Sequence, residues 1–285
     1  MSTTRTAVAR RTPLVLVAVL SVALLVVLYA IAVRTAAGQR IDEAALTGRS
    51  QDFVLMEAIT RALHSVSISS LVIATGAIVA LALVQHRART AVGVVAVVLG
   101  ANLTTQFLKD TLGRPFFAIP GTHSHVASFP SGHSTVAMSL ALALVLAVPA
   151  RRRVPAGITG VAYAVVVGVA TLASAWHRPS DVLGAFLVSL AWAAVVGAWL
   201  ARPRTAPAPR ITPTTAVLVD QLVIVIAALF VLAAVAMVVD VMRDASLADL
   251  EVGRAYVAAL LAIGAGAAGT LAVLLAGLRG TELDA

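Results

Sequence analysis

What most restricts this chain is the spacing of its apolar runs. Uncharged stretches of about twenty residues recur along its length, separated by short segments in which the arginines gather. As a helix, a run of that length crosses the roughly 30 Å hydrocarbon core of a bilayer, where each backbone polar group must be bonded inside its own segment. With 60% of the 285 residues hydrophobic, too little polar surface is left to coat a water-soluble globule. The expected fold class is all-α: a polytopic helical membrane protein with eight spans, at about 13–33, 66–84, 91–108, 134–148, 154–175, 182–201, 214–239 and 256–278.

The arginines then orient these spans. Arg5, Arg10 and Arg11 precede the first run, Arg87 and Arg89 separate the second from the third, Arg151, Arg152 and Arg153 separate the fourth from the fifth, and Arg202, Arg204 and Arg210 follow the sixth. Basic residues at every second connection mark cytoplasmic loops. The net charge of +8 is therefore a topology signal, and nucleic acid is not an expected partner. The first run exceeds the roughly 7–15 residues of a signal-peptide core, so it reads as an uncleaved span. This predicts an integral protein of a bacterial plasma membrane with both termini in the cytoplasm. The domain plan is a tail over 1–12, a six-span core over 13–201, a cytoplasmic linker over 202–212 and a two-span extension over 213–285. Without cysteine, disulfides and thiolate metal sites are excluded.

Between the first two runs, Phe53, Met56, Ile59 and Leu63 share one helical stripe opposite Asp52, Glu57 and Arg61. That pattern predicts an interfacial helix. His86 falls in a short basic turn and reads as a solvated loop residue.

Three polar segments fall on the extracytoplasmic face under this topology. The first runs from Lys109, the sole lysine of the chain, to Arg114-Pro115. Its two cations suit phosphate oxygens, and equally suit lipid headgroups reached by snorkelling. The second is Pro130-Ser131-Gly132-His133, at the mouth of the fourth span. A helix start offers unbonded N–H groups and the positive dipole end, Ser131 can cap it or donate to an anion, Gly132 permits close approach, and His133 can deliver a proton. The third is His177-Arg178-Pro179-Ser180-Asp181. Proline suits a first helical turn, so the sixth span should start near Pro179. Asp181 can then accept from one ring nitrogen of His177, leaving the other as a nucleophile.

In that order, these three segments resemble the signatures of the type 2 phosphatidic acid phosphatase family of membrane lipid phosphatases. The resemblance extends over spans two to six. It implies a six-helix phosphatase core, phosphoryl transfer without a metal or other cofactor, and hydrolysis of a membrane lipid phosphate. By position it makes His177 the nucleophile that forms a phosphohistidine, Asp181 its orienting carboxylate and His133 the acid for the leaving group. Lys109, Arg114, Ser131 and the Gly132 backbone would hold the phosphoryl oxygens. Two positions depart from the family pattern. Phe116-Phe117 stands where an arginine-proline pair is usual, and Thr171 stands where an arginine six residues before the histidine is usual. Arg178 is a candidate substitute for the missing cation, or faces headgroups.

The implied partners are membrane lipids and a lipid phosphate, either polyprenyl or phosphatidic-acid-like, with the polyprenyl type preferred; a homo-oligomer is open. Two alternatives remain: a phosphotransferase using the same phosphohistidine, and a catalytically inactive membrane protein or transporter. His123 and His125 have a zinc-compatible spacing without a complete ligand set and read as part of a loop over the site. Asp220, near the cytoplasmic end of span seven, reads as snorkelling or pairing between helices.

Overall fold

The computed structural model describes residues 2–48, 57, 63, 66–117, 128–202, 252–279 and 281–283. Span seven with Asp220, the His123 and His125 pair, and most of the expected interfacial helix lie outside these residues. At its two described positions that helix agrees with the stripe, since Leu63 is buried and Glu57 exposed.

The first helix, α1 (Ser2–Leu28), runs through Pro13 and continues as a π-helical turn over Tyr29–Val33. It thus begins well before the expected start at residue 13. Next comes α2 (Ala36–Thr47), set off by Thr35, whose hydroxyl accepts the Gly38 N–H at 3.0 Å as an N-cap. The remaining helices are α3 (Ile68–Val84), α4 (Ala88–Thr111), α5 (Gly132–Ala147), α6 (Arg153–Ala173), α7 (Pro179–Leu200) and α8 (Val252–Gly277). Each falls within a few residues of an expected span. Among the described residues, five helical segments are long and apolar enough to cross a membrane, while α3 and α5 are shorter apolar helices.

The bundle is centred on α7, whose inner face is almost wholly buried and which packs against α1, α4, α5 and α8. Helices in lipid gain little from hiding apolar side chains from one another, so close backbone approach matters instead. Gly160 of α6 provides it: a Cβ built there would lie 2.8 Å from that of Ala141 in α5. Gly184 of α7 receives the Phe129 ring, which would meet such a Cβ at 2.6 Å. Phe129 leads into a cis Phe129–Pro130 bond, so this contact seats the turn before α5 directly on α7.

The last described helix packs into the rest of the bundle. It packs against α7, α2 and α6 and touches α1, and a two-residue antiparallel pair joins β1 (Ala201–Arg202) to β2 (Glu282–Leu283). At that end of the bundle Arg87 is buried and donates to Ala147 O at 2.6 Å and Leu283 O at 2.7 Å. It ties the start of α4 to the end of α5 and to the C-terminal segment. His86 next to it holds φ at 56° in the α3–α4 turn, in keeping with a loop position.

Candidate active site

At the opposite end of the bundle, four segments converge: the end of α4, the turn before α5, the α6–α7 turn, and α2. The α6–α7 turn is shaped by backbone bonding. Thr171 O accepts the N–H groups of Trp176 at 3.0 Å and His177 at 3.2 Å, and Ala175 takes φ 58°. The chain then enters α7 with Pro179 in the first turn, where its missing N–H removes nothing. Asp181 closes that turn, because its Oδ2 accepts the Arg178 N–H at 3.0 Å. The same oxygen lies 3.3 Å from His177 Nδ1 and accepts the Ser128 hydroxyl. One carboxylate oxygen therefore caps the helix and holds the imidazole. Asp181 is fully buried and its other oxygen, Oδ1, has no hydrogen-bond partner among the described residues.

The turn before α5 is fastened to the same place. Ser131 N–H donates to Asp181 O at 2.9 Å. Its hydroxyl accepts the Ser134 N–H at 3.3 Å, so Ser131 is an N-cap of α5, and its carbonyl accepts the Thr135 N–H. Those bonds use two of the donors in the first turn. Gly132 N–H remains at the open helix start, where the dipole favours an anion. Deeper in the bundle, the Thr135 and Thr105 hydroxyls bond each other at 2.9 Å and fix α5 against α4.

The end of α4, the start of α5, the α6–α7 turn and the start of α3 border a partly open cavity of about 520 Å³, onto which Lys109, Gly132, His133 and His177 converge. A Cβ on Gly132 would lie 3.5 Å from Lys109 Nζ, so the glycine keeps the lysine and the helix start next to one shared space. The His133 and His177 rings are 6.5 Å apart between centroids, and Trp176 lies 5.2 Å from the His133 ring. Towards the middle of the bundle the wall turns apolar, with Leu71, Leu99, Leu103 and Val136, interrupted by the polar Gln106 and Asn102.

Not every candidate points into this cavity. Ser131 is fully buried as a cap. Arg114 and Arg178 lie behind α7, against α2. Arg178 Nε donates to Glu43 Oε1 at 2.7 Å and its Nη2 contacts the same oxygen. Arg114 approaches Asp42 Oδ2 at 3.8 Å and Glu43 Oε1 at 3.9 Å. Asp42 in turn accepts the Ser180 hydroxyl at 2.6 Å and the Ser180 N–H at 3.3 Å. Burial, reinforced by the Asp181 carboxylate, pushes the Asp42 acid from its ordinary 3.8 up to about 7, against the Ser180 bonds and the Arg114 charge. Burial and the neighbouring Arg178 charge hold Arg114 below its usual value, a shift that Asp42 opposes.

Asp42 and Glu43 are the residues that reasoning from the sequence misses. A signal was present: Gln39, Asp42 and Glu43 share one face of a short alanine-rich helix, and all three are buried. At Thr171, where the family pattern has a cation, the chain instead uses a backbone carbonyl to bend the turn. Lys109 is consequently the one lysine or arginine among the described residues lining the cavity.

Residues 90–205 match the sequence profile of the PAP2 superfamily. The structure is similar to the crystal structure of a transmembrane PAP2-type phosphatidylglycerolphosphate phosphatase from Bacillus subtilis. The TM-score is 0.53 at 27% sequence identity, over 64% of this chain and 94% of that one. No curated protein sequence matches the chain.

Proposed function

We propose that this chain, an integral membrane protein whose residues 90–205 match the PAP2 superfamily, is a phosphatase that hydrolyses a lipid phosphate through a phosphohistidine at His177. The carrying observation is the contact between Asp181 Oδ2 and Nδ1 of His177, which lines one cavity with His133, Lys109 and Gly132. With Nδ1 held by the carboxylate, Nε2 is the attacking atom. It forms the N–P bond as the P–O bond to the lipid breaks, and His133 protonates the departing alkoxide oxygen. In the second half, His133 takes a proton from water, whose oxygen attacks phosphorus. The N–P bond breaks, and inorganic phosphate and neutral His177 result. Lys109 and the Gly132 N–H hold the equatorial oxygens, where fixed donors contribute most to phosphoryl transfer. Arg114 and Arg178 are assigned to the network behind α7.

The wall of the cavity bears on the substrate. Gln106 lies about one helical turn, and Asn102 about two, from Lys109 along α4, beside apolar side chains that continue towards the bundle centre. Asn102 Nδ2 already donates to Val98 O at 2.8 Å, but a lipid that still has polar atoms about one turn below its phosphate, as a glycerophospholipid does at its esters, satisfies the Gln106 amide. A polyprenyl phosphate leaves the Gln106 amide facing hydrocarbon, at a cost. A phosphatidyl-type monoester is therefore the favoured substrate, in place of the polyprenyl phosphate preferred from the sequence. Arg87, Arg89, Arg151, Arg152 and Arg202 all lie at the far end of the bundle, which supports a site on the extracytoplasmic face.

The test is phosphate release by purified protein from phosphatidic acid, phosphatidylglycerolphosphate and a polyprenyl phosphate, with and without chelator, beside His177→Ala. The expected result is release from the first two lipids, unaffected by chelator and lost in the variant. Equal release by variant and wild type would sink the mechanism, and inhibition by chelator would point to a metal.

A further inference from the structure

Placing an arginine next to the nucleophile creates a hazard. Arg178 follows His177 directly, and the nearest carboxylate in its own segment is Asp181, the group that holds the imidazole. Asp181 is also poorly defended, because its Oδ1 is buried without a hydrogen-bond partner among the described residues. A guanidinium binds a carboxylate with two parallel hydrogen bonds, so an unrestrained Arg178 would compete with His177 for it. The two groups are already close. Arg178 Nη1 lies 3.4 Å from Ser128 Oγ, and that hydroxyl donates to Asp181 Oδ2.

Glu43 of α2 stands on the other side of the arginine. It takes both Nε and Nη2 on one oxygen, and the pair is buried, Arg178 at 4% exposure and Glu43 likewise at 4%. A continuous chain results: Glu43, Arg178, Ser128, Asp181, His177. Its neighbour Asp42 grips the same turn through Ser180. Neither acid lies within residues 90–205, the segment that matches the superfamily.

Resting on the phosphohistidine reading above, we propose that Glu43 is a positioning residue that holds Arg178 away from Asp181, so that the carboxylate stays committed to His177. A buried ion pair is in itself weak grounds for stability, because desolvation offsets the attraction. What it supplies here is direction: it decides which carboxylate the arginine takes. Glu43 acts through Arg178 and Asp181 and does not touch the substrate.

The proposal separates from a purely structural role by a rescue. In Glu43→Gln, Arg178 is released towards Asp181, and kcat should fall about 30-fold with KM nearly unchanged. In Glu43→Gln/Arg178→Gln the competitor is gone, and kcat should return to within about threefold of wild type. A structural role predicts the opposite order, with the double variant worse than either single one. Nitrogen NMR of His177 in labelled protein supplies a readout that needs no turnover. Wild type and the double variant should keep the tautomer protonated at Nδ1, and Glu43→Gln should show a mixture. Ser128→Ala, a small change in the middle of the chain, should show a weaker mixture and covers the case in which Glu43→Gln does not fold. Wild-type kcat and tautomer in Glu43→Gln, or no rescue by the second substitution, overturns the proposal. Absence of phosphate release by wild type with the tautomer shift intact would instead count against the catalytic reading alone.

Discussion

The two sides of the first turn of α7 contrast sharply. In front, the cavity holds one cation, two imidazoles and a glycine at an open helix start. Behind, α2 packs two carboxylates against two guanidiniums and a serine, nearly all of it out of contact with solvent. Asp181 sits between, with one oxygen serving His177. The charged groups are thus few and accessible where a phosphate must enter and leave, and many and set close to opposite charges where the turn has to be held still. The cation that the family pattern would place in front is absent at Thr171, while Arg114 and Arg178, the arginines nearest in sequence to the site, lie behind. A site with one lysine should depend on that lysine heavily.

The largest effect expected outside the histidines follows from this. Lys109→Ala should lower kcat/KM by about 10²–10³-fold, the usual cost of removing one fixed donor to a developing charge, with thermal unfolding unchanged. A loss below about threefold would mean that Arg114 or Arg178 reaches the phosphate and that the front–back division is wrong. A smaller effect is expected at the helix start. Gly132→Ala puts a methyl 3.5 Å from Lys109 Nζ, ordinary contact in the empty site but in the way of an oxygen bound by both. About a tenfold loss in kcat/KM is expected, and wild-type activity would remove the Gly132 N–H from the ligand set.

Smallest, and confined to the back, is a change in the pH dependence of stability at Asp42. Its acid is pushed up to about 7 in the folded protein, chiefly by burial and then by Asp181. The folded state therefore disfavours the ionised form. That cost is absent below the ordinary value near 3.8, grows as pH rises through the interval, and is complete above about 7. Asp42→Asn removes it while keeping an acceptor for Ser180. The variant should gain on wild type between about pH 5 and pH 8, by about 5 °C in thermal unfolding in detergent. A difference that stays flat with pH would show that Asp42 is ionised and compensated throughout.

Much of this molecule is legible in the linear sequence. Long apolar runs have few ways to satisfy their backbone inside a bilayer, so the apolar helices among the described residues, and most of their approximate ends, follow from run length alone. Pro179 marks the start of α7 because a proline removes no helical hydrogen bond there, and Ser131 marks the start of α5 because its hydroxyl can replace one. His177 and Asp181 meet because the first turn of α7 brings Asp181 back towards the residues just before Pro179. All of these are local relations, fixed by a few residues of backbone geometry.

Partner choice among distant charges is not local. Nothing in the sequence around Arg178 distinguishes a guanidinium turned to phosphate from one turned to Glu43, 135 positions earlier. Arg114 is equally ambiguous until α2 is seen packed against the start of α7. Run length, arginine placement and short-range spacing suffice for a membrane bundle that brings two histidines, a lysine and an aspartate to one end. Which cations face the cavity and which are held behind it is settled by the packing of α2, because burial makes an unpaired charge so costly that each guanidinium takes whichever carboxylate lies within reach.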